Sequence, residues 1–205
     1  IAKEVLNQFN VKAKTTSDGY QTSNIDAYSH YLKGLDFIQN FETESQWSAF
    51  NQFSEAVRLD SSYEDDWIGM IEAKSQVAFN ARQINLEFSL SLADEVSELV
   101  NNFDDRFPNN WKSNLVHGVY HYHALRELEN GLKYFEKALE YDEDNFDANS
   151  FLGFIYKRQL KSEKALKYFA NAIELKPNDG ALWNEIGEVF LSRGEYIKAI
   201  QFYKK

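Results

Sequence analysis

"ALKYFANAIELKPN", residues 165–178, sets alanine at 165 and again at 172, an aromatic ring at 169 and a proline at 177. Alanines seven apart lie two turns apart on one helix face, and Phe169, four residues from one and three from the other, shares that stripe. A methyl side chain lets a second helix backbone approach closely, and the ring fills the gap beside it. Pro177 stops the helix. The layout recurs as "AFNQFSEAVRLDSS" (49–62), as "GLKYFEKALEYDED" (131–144) and, shortened, as "AIQFYKK" (199–205). The spacing is a packing code for helix against helix, and no catalytic reading competes with it.

Gly131, Ala165 and Ala199 hold the same place in the motif at intervals of 34 residues. That is the length of a helix–turn–helix repeat with the pattern W-x2-L-G-x2-Y, then A-x3-F, then P. Residues 146–179 supply Asn149, Leu152, Gly153, Tyr156, Ala165, Phe169, Ala172 and Pro177, departing only at the Trp place. From Gly180 onward come Trp183, Ile186, Gly187, Phe190, Gly194, Ala199 and Tyr203. On these residues the chain resembles the tetratricopeptide repeat family over about residues 111–205. The resemblance implies an all-α fold, an α-solenoid of antiparallel helix pairs curving into a right-handed superhelix. Helix A of each unit would line the concave face.

Upstream the pattern loosens, and the expected repeat domain spans 25–205 with units 25–63, 64–110, 111–145, 146–179 and an incomplete 180–205. Ala49 to Gly131 exceeds two periods by fourteen residues, so the second unit should hold two lengthened helices with a turn near 80–85. In the third unit Gly131 replaces the alanine, and one residue too many precedes helix B. The first unit has an enlarged turn, "QNFETES". Thr43 with Gln46 reads as a capping box, Ser61 or Ser62 as the next cap, and Asn178 or Asp179 as the last.

Residues 1–24 read as a short amphipathic helix and a linker, the tail of a preceding domain. The join "NIDAYSHYLKGLDF" resembles bacterial multidomain regulators, including adenylate cyclases and membrane-linked transcriptional activators in which repeats follow a TolB-like domain. Ala27, Tyr28, Tyr31, Leu32 and Gly34 carry that resemblance. The chain starts at Ile1 and stops inside a helix B that would bare Ile197, Ile200 and Tyr203. It is therefore expected to be a piece of a longer protein, or to self-associate through its open C-terminal end.

Two prolines and nine glycines among 205 residues suit a mostly helical chain. The absence of cysteine removes disulfides, thiolate metal sites and cysteine nucleophiles. A formal charge of −10 argues against nucleic-acid or anionic-membrane partners. No apolar run reaches the roughly 18 residues of a membrane span. Cytoplasm is the expected compartment, or periplasm if the parent protein is membrane-anchored.

No phosphate loop, nucleophile elbow or dinucleotide fingerprint occurs, so neither an enzyme nor a cofactor is expected. His117 and His121, four apart on a helix, could share a metal ion, but further ligands are not evident and a place at the rim of the core fits them better. The acidic clusters 64–66, 104–105 and 142–144 fall at helix ends, where acids favour the next N-terminus. The function expected is a protein- or peptide-binding scaffold. By phase its groove candidates are Tyr122 and His123 in the third unit, Phe154, Lys157 and Arg158 in the fourth, and Asn184, Glu188 and Leu191 in the fifth. Lys157 and Arg158 could hold a carboxylate or an acidic peptide, or simply be a solvated pair. The alternatives are a regulatory segment of a larger signalling protein, or a metal or small-ligand sensor at His117 and His121.

Overall fold

The structure, a computed structural model, describes residues 24–205, so the helix and linker expected before Asn24 lie outside the described residues. No strand occurs among the described residues. The architecture is all-α, of the α-solenoid class built from antiparallel helix pairs. The described residues fall into two compact units that divide between Tyr134 and Phe135.

The unit before the division holds α1 (Ile25–Ile38), α2 (Thr43–Leu59), α3 (Glu64–Ala81), α4 (Leu86–Arg106), α5 (Ser113–Val119) and a π-helical segment (Tyr120–Leu125). Helix α6 (Leu128–Tyr141) crosses the division. The second unit continues with α7 (Phe146–Arg158), α8 (Ser162–Leu175), α9 (Gly180–Ser192) and α10 (Tyr196–Phe202).

In three of the pairs, α1/α2, α7/α8 and α9/α10, a ring is pressed into a glycine, and Phe53 also meets Gly69 of α3. A methyl group added at Gly34 or Gly69 would come within 2.6 or 2.7 Å of the Phe53 ring, one at Gly187 within 2.6 Å of Tyr203, and one at Gly153 would overlap Phe169. Ala165, Phe169 and Ala172 are fully buried, as are their counterparts Ala49, Phe53 and Ala56. The small residue of helix A and the ring of helix B are thus two halves of one contact.

Asn149 stands at the Trp place without losing its hydrogen bond. Trp67 Nε1 donates to the Ser61 carbonyl at 3.2 Å and Trp183 Nε1 to the Pro177 carbonyl at 2.9 Å. Asn149 Nδ2 donates to the Glu143 carbonyl at 3.1 Å, six residues back as in both tryptophan cases. A buried amide therefore ties the inter-unit turn as the indole does, and Asn171 Nδ2 fills its remaining oxygen at 3.1 Å.

The A-to-B turns of the last three units share one backbone feature at intervals of 34. Arg126, Leu160 and Gly194 have φ of 63°, 58° and 74°, the left-handed conformation that ends many helices. In the two later turns the next N–H reaches back five residues, Lys161 to Tyr156 O and Glu195 to Phe190 O, both at 2.9 Å. In the third unit Glu127 N–H reaches back six, to His121 O at 2.7 Å. The surplus residue is absorbed by the π turn, whose wider ring accommodates one extra residue without breaking the helix.

The extra residues of the second unit also lie inside helices. Helices α3 and α4 run 18 and 21 residues, against 13 and 14 for α7 and α8. Their added length buries Val77, Ala78, Leu92, Ala93 and Val96 in a common cluster. Lys74, largely buried, pairs there with Glu95 and lies over the Phe50 ring at 4.7 Å.

Capping departs from the sequence reading in two places. Helix α2 begins after Glu42 with no side-chain cap, and Gln46 donates instead to the Ile38 and Asn40 carbonyls at 3.0 and 2.6 Å. Thr43 is already inside the helix, so the capping box does not form. Helix α3 begins after Tyr63, again without a side-chain cap, because the Ser62 hydroxyl is taken by Asp60 at 2.6 Å. Asp179 does cap α9, accepting from Leu182 N–H at 3.0 Å. Asn24, Asn85 and Asn145 cap α1, α4 and α7 in the same manner.

Candidate interaction surface

The candidates of the fourth and fifth units lie within the unit 135–205. On α9, Asn184, Glu188 and Leu191 are exposed and spaced four and three apart, hence on one stripe. Leu191 leaves 41% of its surface open, and Glu188 Oε1 accepts from Tyr203 Oη at 2.9 Å. On α7 the equivalent stripe carries Ser150, Phe154, Lys157 and Arg158. Ser150 is buried and its hydroxyl is spent on the Phe146 carbonyl at 2.8 Å. Phe154 is half-buried, edge-on to Phe151 and Phe169 at 6.1 and 5.4 Å.

Lys157 and Arg158 are not an idle double cation. Lys157 Nζ pairs with Glu185 of α9, both side chains about two-thirds buried. The carboxylate that the sequence left to a ligand is thus supplied by the next helix A. Arg158 is exposed at the end of α7. The sequence reading missed Glu185, although consecutive A helices are neighbours in such a fold and an acid on the second facing a lysine on the first was the available signal.

Tyr122 and His123 are placed differently from that expectation. They are only 3% and 8% exposed, inside the π-helical segment of the other unit. The His123 ring packs on Tyr122 at 4.7 Å and on Phe79 at 5.6 Å. The added residue rotates the segment relative to a regular helix A, so both rings turn into the interior and present little surface.

His117 and His121 each face a carboxylate. His117 Nε2 lies 2.9 Å from Asp104 Oδ2, and His121 Nδ1 lies 2.9 Å from Glu127 Oε2. Both imidazoles stack on Tyr134, at 5.0 and 5.2 Å. Asn130 and His121 together hold the Glu127 carboxyl below its usual range, the Asn130 hydrogen bond most. Among the described residues no group of three or more His, Asp or Glu is placed to hold a metal ion.

The acidic clusters are also engaged within the chain. Lys112 Nζ reaches Asp65 at 2.6 Å and Glu64 at 3.3 Å. Burial works to lower the Lys112 pKa, and the bond to Asp65 with the two negative charges outweighs it and holds it up. Asn110 donates to Glu64 and Tyr63 to Asp65, at 2.6 and 2.7 Å. Burial, and then the bond to Asp65, push the Tyr63 phenol up. An open hollow of about 410 Å³ is lined by Phe41, Glu42, Thr43, Phe79, Asn80 and Gln83, none of them a candidate from the sequence. No helix among the described residues is long and apolar enough to cross a membrane.

Known proteins agree with this architecture. A family model described as "Tetratricopeptide repeat" matches residues 120–145 and 146–179, the second with the bounds of the fourth unit. The protein CTR9 homolog of Arabidopsis thaliana is 37% identical over 68 residues, 33% of this chain and 6% of that protein's length. The crystal structure of TTC0263, a thermophilic TPR protein of Thermus thermophilus, overlays with a TM-score of 0.61 at 16% identity. It covers 87% of this chain and 88% of that one, and it bears on the fold alone. A crystal structure of MamA overlays with a TM-score of 0.49 at 14% identity, over 87% and 88% of the two chains. The left-handed turns at Arg126, Leu160 and Gly194 repeat at the interval of 34 residues, and residues 120–179 carry two matches to the tetratricopeptide repeat.

Proposed function

We propose that this chain is a protein-interaction scaffold that takes a peptide or protein segment on the A-helix stripe of α7 and α9. The stripe of Asn184, Glu188 and Leu191 carries the reading. It sets an exposed apolar side chain beside two hydrogen-bonding groups on one helix, the combination that anchors and orients a bound chain. Phe154 and Arg158 extend it on α7, and the Lys157–Glu185 pair fixes the two helices against each other. Tyr122 and His123 are left out because they are buried.

Panning a random peptide library on the purified chain tests the reading. Selected peptides are expected to bind the parent chain and to lose affinity for Leu191→Asp and Arg158→Glu, both at exposed positions, with helical circular dichroism confirming that each variant is folded. Peptides that bind both variants as well as the parent would remove this stripe from consideration.

A further inference from the structure

Helix α8 carries a second surface with a different chemistry. Between 157 and 167 the chain places Lys157, Arg158, Lys161, Lys164 and Lys167 with one acid, Glu163, although the whole sequence is acidic. Lys157 is spent on Glu185, and Glu163 is engaged by Arg193. Lys161, Lys164 and Lys167 are exposed, and no carboxylate pairs with them among the described residues. They are gathered by two tyrosines. Tyr156 of α7 and Tyr168 of α8 stack at 5.5 Å with planes 9° apart. Lys161 and Lys164 lie over the Tyr156 ring at 5.7 and 4.9 Å, and Lys167 over Tyr168 at 5.5 Å. Tyr156 Oη donates to Glu136 Oε1 at 3.1 Å, so this second acid is engaged at the phenol end of the stack.

We infer that this lysine–tyrosine cluster is a binding site for an acidic segment of a partner protein. The rings hold three ammonium groups on one small area, so less side-chain freedom is lost when a carboxylate arrives. The choice of a short acidic segment over a longer polyanion follows from the net charge of −10. At physiological salt a charge is felt over ~8 Å, and within that range the three lysines outnumber Glu163 and Glu136, which Arg193 and Tyr156 already engage. A nucleic acid or an anionic bilayer would also meet the acidic remainder of the surface. The site shares no residue with the α7–α9 stripe and does not depend on it.

The test uses a fluorescent peptide of Glu and Asp of about four residues, short enough to stay on the lysine cluster. The parent chain is expected to bind it, less tightly as salt rises. The triple variant Lys161→Gln, Lys164→Gln, Lys167→Gln should bind about tenfold or more weakly through loss of charge-assisted contacts. Leu191→Asp, on the other stripe, should match the parent. Amide shift mapping on the parent chain, which needs no variant, should place the perturbed residues within 156–168. Unchanged binding by the triple variant, shifts elsewhere, or no binding at all would overturn the proposal. So would tighter binding of a single-stranded oligonucleotide of equal charge, or of phosphatidylserine vesicles, because the surface would then serve a different class of partner.

Discussion

The contact between Gly153 and Phe169 can be dissected by a double-mutant cycle. Phe169 is fully buried, and its ring occupies the space where a side chain at 153 would begin. Phe169→Ala should cost ~3–5 kcal/mol, the transfer of the ring plus the cavity left behind. Gly153→Ala has two opposed effects. Alanine gains ~1 kcal/mol in a helix interior over glycine. Its methyl overlaps the ring, and overpacking of this kind costs ~1–3 kcal/mol. The single variant should therefore lose ~0–2 kcal/mol. In the double variant the overlap is gone, the propensity gain stays, and the new methyl takes up part of the cavity. Its loss should fall below the sum of the singles by ~1–3 kcal/mol, the range typical of side chains in direct contact. Urea unfolding of the four proteins, followed by helical circular dichroism, measures this coupling. Losses that add to within ~0.5 kcal/mol would mean that glycine and ring do not meet, and the same contact at Gly34 and Gly187 would be in question with them.

Three further outcomes follow from the backbone and the buried polar groups. Leu160 is 82% exposed at φ 58°, where its counterpart is Gly194, so Leu160→Gly should raise stability by ~1 kcal/mol in thermal melting. Asn149→Leu should cost ~1–3 kcal/mol, because Asn171 and the Glu143 and Asn145 carbonyls lose their partner in a buried place. Burial, and then the charge of Asp144, hold the Glu174 carboxyl above its ordinary value. A raised carboxyl favours folding less as pH rises through it. Glu174→Gln should therefore melt higher than the parent at neutral pH, and the advantage should vanish below the ordinary glutamate range.

Much of the fold was legible because a repeat states its contacts several times over. Ala165, Phe169 and Ala172 at spacings of four and three could share a face only in a helix, and the 34-residue interval made the helix pair a unit. The surplus in the second unit could be counted, and with no Gly or Pro between Met70 and Phe107 it had to enter helices. The candidate site was less legible. Lys157 and Arg158 read as two free cations because a pattern in one helix says nothing of what faces it, and Glu185 comes from another. The caps expected at Thr43, Ser61 and Ser62 failed for a related reason: Gln46 and Ser62 found nearer partners once the turns had closed.

By itself, then, the sequence determined the helical class, the repeat interval, the alanine–ring stripe of Ala165, Phe169 and Ala172, and the acidic balance that disfavours polyanionic partners. These follow from period, side-chain size and charge, which belong to the chain whatever its conformation. Tertiary structure alone decided that the extra residue of the third unit becomes a π turn, which rotates Tyr122 and His123 into the interior. It also decided that Asn149 does the work of an indole, and that Lys161, Lys164 and Lys167 converge on a stacked pair of tyrosines from two helices. Each of these depends on which backbone group or ring lies across a gap between elements, and linear spacing does not encode that distance.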